Sequence, residues 1–178
     1  KQNIPVSNIV DIPIKDYLGL NSTAKTNLHG FKLNTHVKWE RKEVDLDPYI
    51  LGMWLGDGYS QGDGFTCDDE ELVKYWRQWA EPLNLNINQR PVKIQYWIAH
   101  GKGGKNTFTQ FIKKYNLINN KHIPTDYLIN DRETRLSLLA GVMDTDGSVE
   151  ANGVTIRISQ CNEHSRLLHE TQYLARSL

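Results

Sequence analysis

Apolar residues recur through the middle of this chain with two different periods. Leu72, Val73, Trp76, Trp79, Ala80 and Leu83 fall at helical spacing, which predicts a helix with one apolar face, capped by Asp68 or Asp69. That spacing assigns Trp76 and Trp79 to the core. Val92, Ile94, Tyr96 and Ile98 alternate with Lys93, Gln95, Trp97 and Ala99, the period of a strand with one buried and one exposed face. Phe108, Phe111, Ile112 and Tyr115 return to the helical period, opened by Thr107 and Gln110 as a capping box. Near the C-terminus, Val154, Ile156 and Ile158 alternate with Thr155, Arg157 and Ser159 behind an Asn152-Gly153 turn, predicting a hairpin before a helix over residues 163–178.

Two further apolar runs break this alternation of periods and carry the most information. Ile50-Leu51-Gly52-Met53-Trp54-Leu55-Gly56-Asp57-Gly58 and Leu139-Ala140-Gly141-Val142-Met143-Asp144-Thr145-Asp146-Gly147 lie 89 residues apart, and each ends in Asp-Gly. The first is introduced by Asp47 as a cap and Pro48 at the first helical position, the second by Asn130 and Glu133 as a capping box. Gly52 and Gly56 share one helix face, and with Gly141 they predict close backbone contact between the two helices. Such packing brings Asp57 and Asp146 together at the helix C-termini. Paired carboxylates repel unless a cation lies between them, and the last helical carbonyls lack partners, so Mg²⁺ or Mn²⁺ is the expected cofactor. The run from Asp144 is not a calcium loop of the EF-hand kind, because its twelfth position is Thr155 rather than an acid.

The repetition divides the chain into a connecting segment (1–46, with a helical turn near Asp16-Tyr17-Leu18), a first unit (47–120), a linker (121–130) and a shorter second unit (131–178). The first unit reads helix, two strands, helix, two strands, helix. The second reads helix, two strands, helix. The fold class expected is therefore α+β.

Charge changes the picture more than composition does. The chain is formally neutral at pH 7, yet residues 86–122 hold Arg90, Lys93, Lys102, Lys105, Lys113, Lys114 and Lys121 with no acid. Residues 40–71 hold ten acids against two bases. A basic strip interleaved with Tyr96, Trp97 and Phe108 suits a phosphate backbone. Within it Arg90, Lys93, Gln95 and Trp97, and in the second unit Thr155, Arg157 and Ser159, are the expected nucleic-acid contacts, with Lys102 and Lys105 on phosphates. Cys67 and Cys161 are too few for a disulfide framework or a zinc site. No apolar run approaches the ~20 residues of a membrane span, and Lys1-Gln2-Asn3-Ile4-Pro5 does not resemble a signal peptide; an intracellular protein without a membrane partner is expected.

The second run matches the LAGLIDADG homing-endonuclease signature at six of nine positions, and the first resembles the degenerate copy of single-chain members. The resemblance covers about residues 47 to 178. It implies pseudo-two-fold αββαββα units, here with the second incomplete, whose antiparallel sheets form a saddle over double-stranded DNA. By the same resemblance Asp57 and Asp146, with the backbone carbonyls of Gly56 and Thr145 as extra ligands, would hold the metal for double-strand cleavage at a rare site. Lys121-His122-Ile123-Pro124 is similar to the Lys-Asn-Ile-Pro stretch of intein-encoded members, which makes Lys121 the third catalytic residue. Ile9-Val10-Asp11-Ile12-Pro13-Ile14-Lys15-Asp16-Tyr17-Leu18 resembles the segment joining an intein's splicing half to its endonuclease, implying a flanking splicing domain in a longer precursor. Lacking a Cys or Ser at residue 1 and a terminal His-Asn, the chain is not expected to splice alone. The alternative is a non-cutting nucleic-acid-binding module or maturase-like RNA binder of the same fold; a small structural metal-binding domain is a third, weaker reading.

Overall fold

The computed structural model describes residues 9–30, 35–101, 104–151, 153 and 155–178. They fall into two units, residues 1–34 and 35–178. In the first, α1 (Ile14–Gly19) and α2 (Ser22–Asn27) bury no residue. Asn21 caps α2 by accepting from the Ala24 N–H at 2.8 Å, and Lys25 Nζ donates to the Leu18 carbonyl at 2.8 Å. Its apolar side chains Ile9, Val10, Ile14 and Leu18 stay exposed. The stretch read as one connecting segment divides here, because residues 35–46 belong to the larger unit.

Segment 35–46 is tied to that unit by side chains distant in sequence. Asn130 accepts from the Lys42 N–H at 2.9 Å and donates to the Lys42 carbonyl at 2.9 Å. The Tyr127 hydroxyl bridges the N–H and the carbonyl of Leu46. Arg135 is fully buried; it donates to the carbonyls of Val37 (2.6 Å), Asn130 (2.9 Å) and Ser177 (2.7 Å) and lies over the Trp39 ring. A buried guanidinium is tolerated because carbonyls at three places satisfy it.

Helix α3 (Pro48–Asp57) starts as Asp47 and Pro48 dictate, with Asp47 Oδ1 accepting from the N–H groups of Tyr49 and Ile50. Its residues Ile50 to Leu55 are buried on every side, so it is a central helix. Then follow β1 (Gly64–Thr66), α4 (Glu70–Ala80) capped by Asp69, a 3₁₀ turn, β2 (Leu85–Gln89), β3 (Gln95–His100) and α5 (Thr107–Lys114). The three strands form an antiparallel sheet in the order β1-β3-β2. Between α3 and β1 the chain turns back on itself, with a single antiparallel bridge between Gly58 and Phe65. Phe65 stacks between Trp76 (4.5 Å between centroids) and Tyr96 (5.3 Å), which with Trp54 and Phe108 makes the aromatic core over this sheet.

After the short helix α6 (Thr125–Leu128), α7 (Arg132–Asp146) runs beside α3. Then come β4 (Gly147–Val149), β5 (Ile156–Ile158), a second 3₁₀ turn and α8 (Ser165–Arg176). β4 and β5 pair antiparallel, Gly147 opposite Ile158. The architecture is α+β with small antiparallel sheets.

Four local expectations are corrected. Lys93 lies in the turn between β2 and β3 rather than on the exposed strand face: the ladder starts at Gln95, whose N–H closes the turn on the Val92 carbonyl at 3.0 Å. The cap of α5 is Asn106, not Thr107, and that of α7 is Asp131, because the Asn130 carboxamide is engaged with Lys42. The half-buried alternation expected of Ile156 and Ile158 is weak: Ile156 is 60% exposed and its partner Val149 64%. Among the described residues nothing covers that hairpin as Trp76 covers Phe65. Asn152 and Val154 lie outside the described residues, while Gly153 takes the left-handed φ of 68° that its turn requires.

Candidate active site

The two Asp-Gly helices are parallel and touch through glycine. A Cβ on Gly52 would lie 2.3 Å from the Leu138 carbonyl and 3.0 Å from Gly141 Cα, and one on Gly141 would lie 2.2 Å from the Tyr49 carbonyl. Gly56 faces Thr145, whose Oγ1 would lie 2.0 Å from an added Cβ, with Asp146 Oδ2 at 3.1 Å. Backbone meets backbone, so the helices cannot slide without clashing. In this register both helices stop together, at Asp57 and Asp146.

Asp146 is costly to ionise. Burial first, then the charge of Asp57, raise its carboxyl to about 6. Burial likewise raises Asp57, with Lys121 opposing the shift. Gln160, just beyond β5, donates from Nε2 to Asp146 Oδ2, fixing one carboxylate oxygen. Gln160 stands two places past Ile158, the partner of Gly147; the corresponding place in the first half, two past Phe65, is Cys67, whose thiol donates to the Asp69 carbonyl. The Cys67 thiol is pushed up by burial, with the charge of Asp57 contributing.

Lys121 is anchored at the end of α3. Only 4% exposed, it donates from Nζ to the carbonyls of Leu55 (3.0 Å) and Gly56 (2.9 Å) and sits 5.3 Å from the centre of the Trp54 ring. Burial lowers its pKa to about 8, against the opposing pull of Asp146 and Asp57. The Gly56 carbonyl, assigned from sequence to a metal, therefore carries the ammonium. Thr145 Oγ1 turns back onto its own helix, to the carbonyls of Gly141 and Val142. Among the described residues no cluster of three or more His, Cys, Asp and Glu side chains is placed to hold a metal. The donor set here is two carboxylates made reluctant to ionise by burial, with the charge of Asp57 adding to the effect on Asp146. Hard oxygens in that state fit a divalent cation, which would relieve the repulsion.

The predicted nucleic-acid contacts separate into places. Gln95 and Trp97 lie on the open face of the first sheet, opposite Thr66 and Asn88 respectively. Arg90 follows β2 and lies over the rings of Trp97 and Tyr59. Lys93 and Lys105 are exposed in loops, and Lys102 lies outside the described residues. Arg157 is on β5 and pairs with Glu150, while Thr155 and Ser159 flank that strand. Sequence reasoning missed Gln160, a lone polar residue in no motif. It also passed over Asn86 and Asn88, although their alternation with Leu85 and Ile87 is visible in the sequence.

No family model matches this chain. A replicative DNA helicase DnaB from Mycobacterium intracellulare is 32% identical over 122 residues, which are 68% of this chain. The match spans 17% of the length of that relative. Among the described residues no helix is long and apolar enough to cross a membrane.

Proposed function

We propose that this chain is the endonuclease portion of an intein, a LAGLIDADG-type homing endonuclease that hydrolyses double-stranded DNA at a specific site with Mg²⁺ or Mn²⁺. The observation that carries the reading is the glycine-mediated contact that ends two helices together and sets Asp57 and Asp146 in each other's field beside Lys121. Similarity restricted to 17% of a protein named for helicase activity supports an element inserted within a longer host.

Asp57 and Asp146 would hold the metal ion, which when bound lowers the pKa of a water and screens charge on the phosphate. The chain's own residues supply the rest. Gln160 keeps the Asp146 carboxylate oriented. Lys121, poised near neutrality, can present a proton from Nζ to an oxygen that gains charge, or orient a water by hydrogen bonding. Trp54 and the helix ends keep that amine out of bulk solvent, so its charge acts through little screening.

Incubation of the 178-residue chain with a supercoiled plasmid library in Mg²⁺ and in EDTA tests the reading. Linear product in Mg²⁺ alone, lost in Asp57→Asn and Asp146→Asn, is expected; cleavage that survives both substitutions sinks it. The exposed Val149 and Ile156 favour a second reading, a binding module whose second sheet is too small to engage a full duplex site. Metal-independent binding without any cleavage selects that one.

A further inference from the structure

A basic strip alone does not explain how Arg90 is held. Its guanidinium lies 6.0 Å from the centre of the Tyr59 ring and 5.7 Å from that of Trp97, within cation–π range of both. Among the described residues no carboxylate pairs with it, so its N–H donors are not consumed by an ion pair. The backbone beneath is fixed: the Arg90 N–H donates to the Gln95 carbonyl at 2.8 Å, closing the turn between β2 and β3. Tyr59 is fixed as well. Its N–H donates to the Gly64 carbonyl at 2.7 Å, and its ring fills the space over Gly64 that a Cβ would need, 2.3 Å from Tyr59 Cδ2. Gly64 and Asn88 both oppose Trp97 in the sheet. The two rings and the arginine therefore stand on one face of the sheet.

That face is the side away from Phe65, Tyr96 and Ile98, which are buried. It presents Asn86 opposite Ala99, Asn88 opposite Trp97, and Gln95 opposite Thr66. Neighbouring Gln89 belongs to the other side, where it bonds the Tyr96 hydroxyl at 3.2 Å. Carboxamides and a guanidinium in rows on an open sheet are the groups that pair with purine edges: Asn or Gln with adenine, Arg with guanine. The lysines that suit phosphates, Lys93 and Lys105, lie in loops. An arginine held near two rings has its fork restrained, and restraint is what bidentate recognition needs.

We propose that Arg90 reads a guanine in the major groove of the target duplex, with Tyr59 and Trp97 as positioning residues. This deepens the DNA reading above and rests on it. The test is selection from a randomised duplex pool by the full chain and by Arg90→Lys, Arg90→Gln, Tyr59→Phe and Tyr59→Ala, in Ca²⁺, with thermal melting to confirm that each folds. The unsubstituted chain should enrich sites with one fixed guanine, whose replacement weakens binding about ten- to a hundred-fold. Both Arg90 variants should relax that position alone. Tyr59→Phe keeps the ring and the preference; Tyr59→Ala blurs it. If the Arg90 variants select the same guanine, or bind more weakly with unchanged preference, Arg90 is a phosphate contact and the proposal is overturned while DNA binding stands. If no chain enriches any sequence, the DNA reading falls with it.

Discussion

The two Asp-Gly units begin alike and end differently. After α3, Gly58 bridges to Phe65, and after α7, Gly147 pairs with Ile158, so each helix hands a carboxylate to the start of a sheet. In the first unit that sheet grows to three strands and buries Phe65 between Trp76 and Tyr96. In the second it has two described strands, with Val149 and Ile156 in the open. The site is unequal too, because Lys121 grips the end of α3 while Gln160 serves Asp146. What the halves share is the helix contact and the carboxylate; what they do not share is the covering. The site therefore depends on the junction more than on either sheet.

Paired truncations break this comparison most strongly. Phe65→Ala should cost about 3–5 kcal/mol in urea unfolding, whereas Ile156→Ala should fall within about 0.5 kcal/mol. Equal costs would mean that the second hairpin is as well covered as the first. Gly141→Ala should lose about 3 kcal/mol and all cleavage, since the added methyl meets the Tyr49 carbonyl, a backbone atom with nowhere to go. Gly56→Ala should cost less, because it meets the Thr145 side chain, which can turn. A melting series across the four variants orders them.

Lys121→Met should abolish cleavage yet raise stability by about 1–3 kcal/mol at neutral pH, since it removes an ammonium that folding strips of water. Folding penalises the charged lysine, so its cost is full below a pKa of about 8 and fades as pH rises towards 10.5. The Asp146 cost has the opposite sense: absent below its ordinary 3.8, it grows as pH rises and is complete above about 6. The site is thus least favourable to the fold between those windows, around pH 6 to 8. Mg²⁺ should raise the melting temperature at pH 7 and do little at pH 4, an effect on the order of 1 kcal/mol because the carboxylates keep some solvent contact. Asp146→Asn should remove that difference, and calorimetry at both pH values would show whether it does.

Legibility in the sequence followed the range of the interaction. Asp47 with Pro48, and Asp69 before α4, act within a turn of themselves and were readable. The glycine faces were readable because the motif occurs twice. Asn130 misled because its carboxamide serves Lys42, 88 positions away, rather than the helix beside it. Val92 and Ile94 misled because alternation does not mark where the ladder stops and a turn begins. Arg135 looks like a surface residue of a helix, and only the fold supplies the carbonyls that bury it. Gln160 has no local signal, since its partner is made by the end of another element.

The main-chain contact between Gly52 and Gly141 also constrains how such a sequence can diverge. Neither position can accept a side chain while the facing helix stays in place, so a change at one has no compensating change in side-chain size at the other. Drift in related sequences should therefore accumulate on the sheets and loops, and leave these two glycines as the slowest-changing points outside the carboxylates themselves.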